Sequence, residues 1–80
     1  PFGKSAVRNI LFAVNQIVTT GDVQIGKNWL RTEVKDYWSQ RKALINIANY
    51  LYGVTANLEH WDPAREATKL LAGALENDHA

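Results

Sequence analysis

The run Gly26–Lys42, GKNWLRTEVKDYWSQRK, gathers two Trp, one Tyr and five Lys or Arg into seventeen positions. It is the only stretch where basic and aromatic residues interleave at helical spacing. If one helix continues through Lys35, then Lys27, Arg31, Lys35, Trp38 and Lys42 follow at spacings of four, four, three and four and line one ridge, with Arg41 beside it. Cations so arranged neutralise phosphates, and an exposed Trp stacks on an unpaired base. Lys27, Arg31, Lys35, Trp38, Arg41 and Lys42 are therefore the candidate nucleic-acid-binding set, with the DNA backbone as partner. Glu33 and Asp36 lie beside the ridge and repel phosphate. The same residues also read as a thin core with a solvated basic rim. Trp29, Tyr37, Trp38, Tyr50 and Tyr52 are most of the aromatic bulk on offer, and Lys and Arg stems commonly flank buried rings. The sequence favours this second reading.

Other chemistries lack their residues. The only His residues, His60 and His79, are not paired at helical spacing, so a metal site would rest on His60 with Glu59 and Asp62 alone. Ser5 and Ser39 are the only serines, and neither lies in a nucleophile turn. Glu33 with Asp36, and Glu59 with Asp62, are spaced as helix-surface or capping neighbours rather than acid–base pairs. Gly26-Lys27 lacks the upstream Gly of a phosphate-binding loop. No catalytic residue, cofactor site or metal site is assigned, and no small-molecule ligand is indicated.

Positioning the basic–aromatic run requires helices. The chain has 80 residues, enough for one domain with a small core. Its 46% apolar content supports a folded globule without cross-links. There is no Cys, which excludes disulfides and thiol chemistry and fits a cytoplasmic protein. No apolar run reaches the ~18 residues of a membrane span, and residues 1–20 lack a signal-peptide pattern. Charge is uneven: residues 1–42 carry +4 and residues 43–80 carry −3. The opening at Pro1 and the lack of any Met read as a segment cut from a longer protein.

From Ser5, the residues Val7, Ile10, Leu11, Val14, Ile17 and Val18 fall on one helix face, ending at Thr19-Thr20-Gly21-Asp22. A second pattern starts after Asp22 and carries Leu30, Val34, Tyr37, Leu44, Ala48 and Leu51. It is either one long helix or two, with the break near Lys35-Asp36 favoured and Asp36 as N-cap. Gly53 reads as a left-handed C-terminal residue. Asp62-Pro63 reads as an N-cap followed by the first helical position. The prediction is an all-α bundle of three to four helices over residues 5–19, 23–34, 36–52 and 63–76. Its expected core is Ile10, Leu11, Val14, Leu30, Val34, Leu44, Ile45, Leu51, Leu70 and Leu71, with Trp38 at least partly covered.

The words VRNILFAV (7–14), GKNWLRTEVKDYWSQRK (26–42), LEHW (58–61) and AREATKLLAGALENDH (64–79) resemble the C-terminal part of large adenine-specific DNA methylases that carry an N-terminal domain of unknown function. The resemblance spans nearly the whole chain, with Asp36-Tyr37-Trp38 and residues 71–79 its most specific words. It implies a parent that transfers methyl groups from S-adenosylmethionine to adenine in DNA. The family's catalytic Pro-Pro-aromatic signature has no counterpart here, because the two prolines are Pro1 and Pro63. No catalytic or cofactor residue is therefore carried over. A proline often precedes the Asp-Tyr-Trp word in that family, where this chain has Lys35. The resulting expectation is a non-catalytic module serving in packing against the parent, assembly or weak DNA contact. The alternative is a self-standing interaction domain that forms homo-oligomers or binds another protein.

Overall fold

A computed structural model describes residues 3–79 as four α-helices and no strand. Helix α1 is Lys4–Thr20, α2 Val23–Glu33, α3 Tyr37–Val54 and α4 Asp62–Glu76, with a single 3-10 turn, Glu59–Trp61, leading into α4. These bounds match the periodicity to within a residue or two, as expected where helix ends fray. Helix α4 packs along α3 and also touches α1 and α2, while α1 and α2 pair with each other.

The α1–α2 corner follows the local chemistry of its residues. Gly21 ends α1 at φ 75°, a conformation open to Gly without a Cβ clash, and its N–H donates to the Ile17 carbonyl at 2.7 Å. Asp22 then caps α2 as expected, its side chain accepting from the Gln24 N–H at 2.9 Å. One turn on, Gly26 lets the two helices meet. A Cβ there would lie 2.7 Å from the Ile17 side chain and 2.8 Å from the Ala13 carbonyl oxygen. A backbone carbonyl cannot swing aside, so Gly26→Ala should separate α1 from α2 and cost about 1–3 kcal/mol in chemical denaturation. An unchanged midpoint would show that the helices do not approach this closely.

The second apolar pattern does break, at Val34–Asp36, but by a different device from the one expected. Val34 is extended, and Asp36 adopts the left-handed conformation at φ 57° and ψ 44° with no side-chain cap bond. Its carbonyl, rather than its carboxylate, accepts from the Ser39 N–H, the Gln40 N–H and the Ser39 hydroxyl. Asp tolerates this backbone better than most residues, which is why the chain turns here without a glycine or a proline. The turn sends α3 away from α2, and the two touch little despite being consecutive.

Two other end signals are corrected. Gly53 lies inside α3 and is not left-handed; the helix runs to Val54. Thr55 stops it instead, with its hydroxyl donating to the Leu51 carbonyl at 2.7 Å, while Arg65 Nε donates to the Tyr52 carbonyl at 3.2 Å. With those carbonyls satisfied by side chains, no glycine is needed there. At α4 the N-cap is Trp61, and Asp62 is the first helical residue with Pro63 second. The 3-10 turn runs straight into the helix and moves the start back by one. Asp62 still sits in the first turn, where a negative charge suits the helix dipole.

The core contains Ile10, Ala13, Val14, Ile17, Leu30, Val34, Tyr37, Leu44, Ile47, Ala48, Ala67, Leu71, Ala72 and Leu75. Ile45 and Leu51 are half-buried. Leu11 and Leu70 are exposed, contrary to expectation. In both helices the apolar stripe is wider than the buried face, and the neighbours chose the flank that turned inward. On α4 that flank is Ala67, Thr68, Leu71, Ala72 and Leu75, whose small residues let α4 nest among three helices. The buried Thr68 hydroxyl is satisfied by the Ala64 carbonyl at 2.6 Å.

Candidate functional site

The basic–aromatic run folds around a carboxylate from the other end of the chain. Lys27 and Arg31 lie one turn apart on α2, and Tyr37 is the first residue of α3. All three point to Asp78, just past the end of α4. Lys27 Nζ donates to Asp78 Oδ1 at 3.3 Å and the Tyr37 hydroxyl donates to Oδ2 at 2.9 Å. Arg31 Nε is 3.8 Å from Oδ2. Asp78 is only 6% exposed and Lys27 14%, so this is an interior ion pair rather than a surface one.

The electrostatics match the geometry. Burial raises the Asp78 carboxyl, but the Tyr37 and Lys27 hydrogen bonds and the charges of Lys27 and Arg31 outweigh it and hold the group below its ordinary value. The Tyr37 hydroxyl moves the other way. Burial first, then its bond to Asp78 and that residue's charge, push it well above the ordinary phenol, against the opposing pull of Arg31 and Arg41. Tyr37 thus stays a neutral donor and Asp78 a charged acceptor.

The six candidate residues do not form one ridge, because the helix that would align them ends at Glu33. Lys27 faces inward to Asp78. Arg31 is shared between Asp78 and the face of Trp38, with its guanidinium carbon 5.6 Å from the ring centre. Arg41 approaches Trp38 at 5.8 Å and donates to the Leu75 carbonyl at 2.6 Å. Trp38 itself stands edge-on to Tyr37, with ring centres 5.2 Å apart, and remains 40% exposed. Lys35 and Lys42 are exposed. The fold therefore brings Arg31, Trp38 and Arg41 into one cluster at the α2–α3 corner and draws Lys27 beneath it. A shallow groove of about 480 Å³ continues along α3 beside this cluster, lined by Arg41, Lys42, Ile45, Asn46, Asn49 and Glu76.

No protein-family model, curated protein or solved structure matches this chain. The chemistry of the corner rests on its own residues.

Asp78 is the participant that sequence reading missed. Nothing local in the sequence distinguishes it from an ordinary carboxylate beyond a helix end. Trp29, by contrast, belongs to the packing: it stacks on Phe12 with ring centres 4.3 Å apart, away from the corner. Arg65 covers Tyr52 at 3.9 Å. Among the described residues no group of three or more His, Cys, Asp and Glu is placed to hold a metal, and no helix is long and apolar enough to cross a membrane.

Proposed function

We propose that this chain is a non-catalytic helical module that makes weak, sequence-independent contact with nucleic acid through the α2–α3 corner. On the resemblance set out above, its setting is the C-terminal part of an adenine-specific DNA methylase, where it also packs against the rest of the parent chain. S-adenosylmethionine and the methyl-transfer machinery belong to that parent and not to this segment. The observation carrying the reading is Trp38, a ring 40% exposed with the Arg31 and Arg41 guanidinium carbons 5.6 and 5.8 Å from its centre. Such a ring offers a base a stacking face, while the flanking cations hold the adjoining phosphates. Lys35 and Lys42 extend the positive rim. Because Asp78 already neutralises Lys27, the contact set is smaller than the sequence spacing predicts.

Titration with labelled single-stranded and duplex oligonucleotides at low salt tests this. Binding should be weak, with a log–log salt slope of about −2 to −3 on single strands, as three or four phosphate contacts require. Trp38→Ala should weaken single-strand binding about tenfold or more, since stacking on one base is worth ~1–3 kcal/mol. No binding at ~100 μM protein, the weak end of non-specific affinity, defeats the reading.

A second reading, a homo-oligomerisation domain, draws on apolar surface elsewhere. Leu11, Val14, Asn15, Val18, Trp61 and Ala64 line a groove of about 280 Å³ between α1 and the start of α4. Exposed Phe12, Leu58 and Leu70 add to the apolar surface outside that groove. A second copy of the chain is the occupant in this reading. Light scattering across micromolar concentrations would then show a concentration-dependent dimer, and a constant monomer mass rejects it.

A further inference from the structure

Lys27, Arg31 and Tyr37 come from two different helices and converge on one anionic group that neither helix supplies. A carboxylate held by an ammonium, a guanidinium and a phenol occupies the place that two oxygens of a phosphate take in a phosphate site, where charge-assisted bonds to anionic oxygens are strongest. The carboxylate belongs to the segment that follows α4, called the tail below. Helix α4 ends at Glu76, and of the described residues beyond it, Asn77 and His79 are exposed and only Asp78 is buried. The tail's backbone is held by the Asn77 N–H on the Gly73 carbonyl at 3.1 Å and the Asp78 N–H on the Leu75 carbonyl at 3.3 Å. Its principal anchor is thus the Asp78 side chain.

We infer that Lys27, Arg31 and Tyr37 form a phosphate site which the chain's own Asp78 occupies, and that a nucleic-acid strand engages it by displacing the tail. The inference rests on the nucleic-acid reading above and deepens it. Removing a buried carboxylate from its cations is costly when nothing replaces it, but exchange for another anion leaves every donor satisfied. The exposed Trp38 ring contacts both Tyr37 and Arg31, so a strand with one phosphate on Lys27 and Arg31 has a stacking face for the neighbouring base. With Asp78 in place, Lys27 is withheld from the strand, Arg31 is shared with the carboxylate, and binding stays weak. Asp78 acts as a self-supplied competitor.

The test compares the wild type with Asp78→Asn, which keeps an acceptor oxygen for Tyr37 while removing the competing charge. Single-stranded oligonucleotide should bind Asp78→Asn at least tenfold more tightly. Its salt slope should be steeper by about 0.7–1.4, as Lys27 is freed fully and Arg31 in part on a single strand. Adding Lys27→Gln to Asp78→Asn should remove at least half of that added slope. Equal binding by wild type and Asp78→Asn overturns the inference and leaves the corner reading intact. Absence of binding by both defeats the corner reading, and the inference with it. If inorganic phosphate at matched concentration competes as well as the oligonucleotide, the site takes free anions and the strand assignment is wrong. Should Asp78→Asn lose its helical circular dichroism, amide exchange in the wild type decides the matter. Saturating oligonucleotide should accelerate exchange at Asn77 and Asp78, and unchanged or slower exchange overturns the proposal.

Discussion

Replacing Leu44 by Ala will destabilise the domain by about 2–5 kcal/mol, the range for truncating a large apolar side chain in a packed interior. Leu44 is 1% exposed and belongs to the face of α3 that meets α4. A domain of 80 residues has a total stability of roughly 4–12 kcal/mol, so this one change removes a large share of it. Leu70→Ala is the matched control. The pattern of apolar residues alone makes Leu70 as central as Leu44, yet Leu70 is 50% exposed. Its truncation should cost less than about 1 kcal/mol, as at a surface site. Urea denaturation of the two variants side by side measures the contrast. Equal losses would mean that α4 presents a different face from the one described.

The second large effect belongs to Asp78. Asp78→Ala leaves Lys27 with its ammonium mostly buried and Tyr37 without an acceptor, and should cost about 2–3 kcal/mol at neutral pH. This falls short of the largest values for broken buried pairs because Arg31 is already partly in water and Lys27 can reach solvent. The pH dependence identifies the cause. Asp78 is held below its ordinary value in the folded state, so its stabilising contribution is complete above the unfolded carboxyl value near 3.9 and is lost as pH falls through the folded one. The difference in stability between wild type and Asp78→Ala should therefore be full at pH 7 and shrink steadily below about pH 4. Tyr37 contributes with the opposite sign. Its raised hydroxyl stabilises the fold below the ordinary phenol value near 10, and that contribution is lost as pH rises beyond it. A wild-type advantage over Asp78→Ala that is as large at pH 3 as at pH 7 would rule out the ion pair as its source.

Both predictions concern contacts across the bundle, whereas the helices themselves are local. The 3.6-residue period of Ile10, Val14 and Ile17, the glycine at 21, the cap at Asp22 and the proline at 63 act within a turn or two of chain. For that reason the sequence alone determined an all-α fold and nearly all helix bounds. The turn at Asp36 was visible as a place, although its left-handed backbone was not, because Asp serves equally as a side-chain cap. Gly53 carried a stop signal that Thr55 and Arg65 made unnecessary, and Arg65 comes from another helix.

Tertiary structure alone decided which flank of each wide apolar stripe is buried. Leu11 and Leu70 match the period as well as Ile10 and Leu71 do, and only the position of neighbouring helices separates them. It also decided the fate of the basic run. Lys27 and Asp78 lie 51 residues apart, and no spacing rule connects them. Their pairing depends on α4 crossing α2 at the height where the tail emerges. Desolvation there makes a carboxylate and an ammonium that would be unremarkable in water hold each other strongly. The sequence could name the cations. Only the packed bundle determined which of them meet solvent and which meet a buried charge.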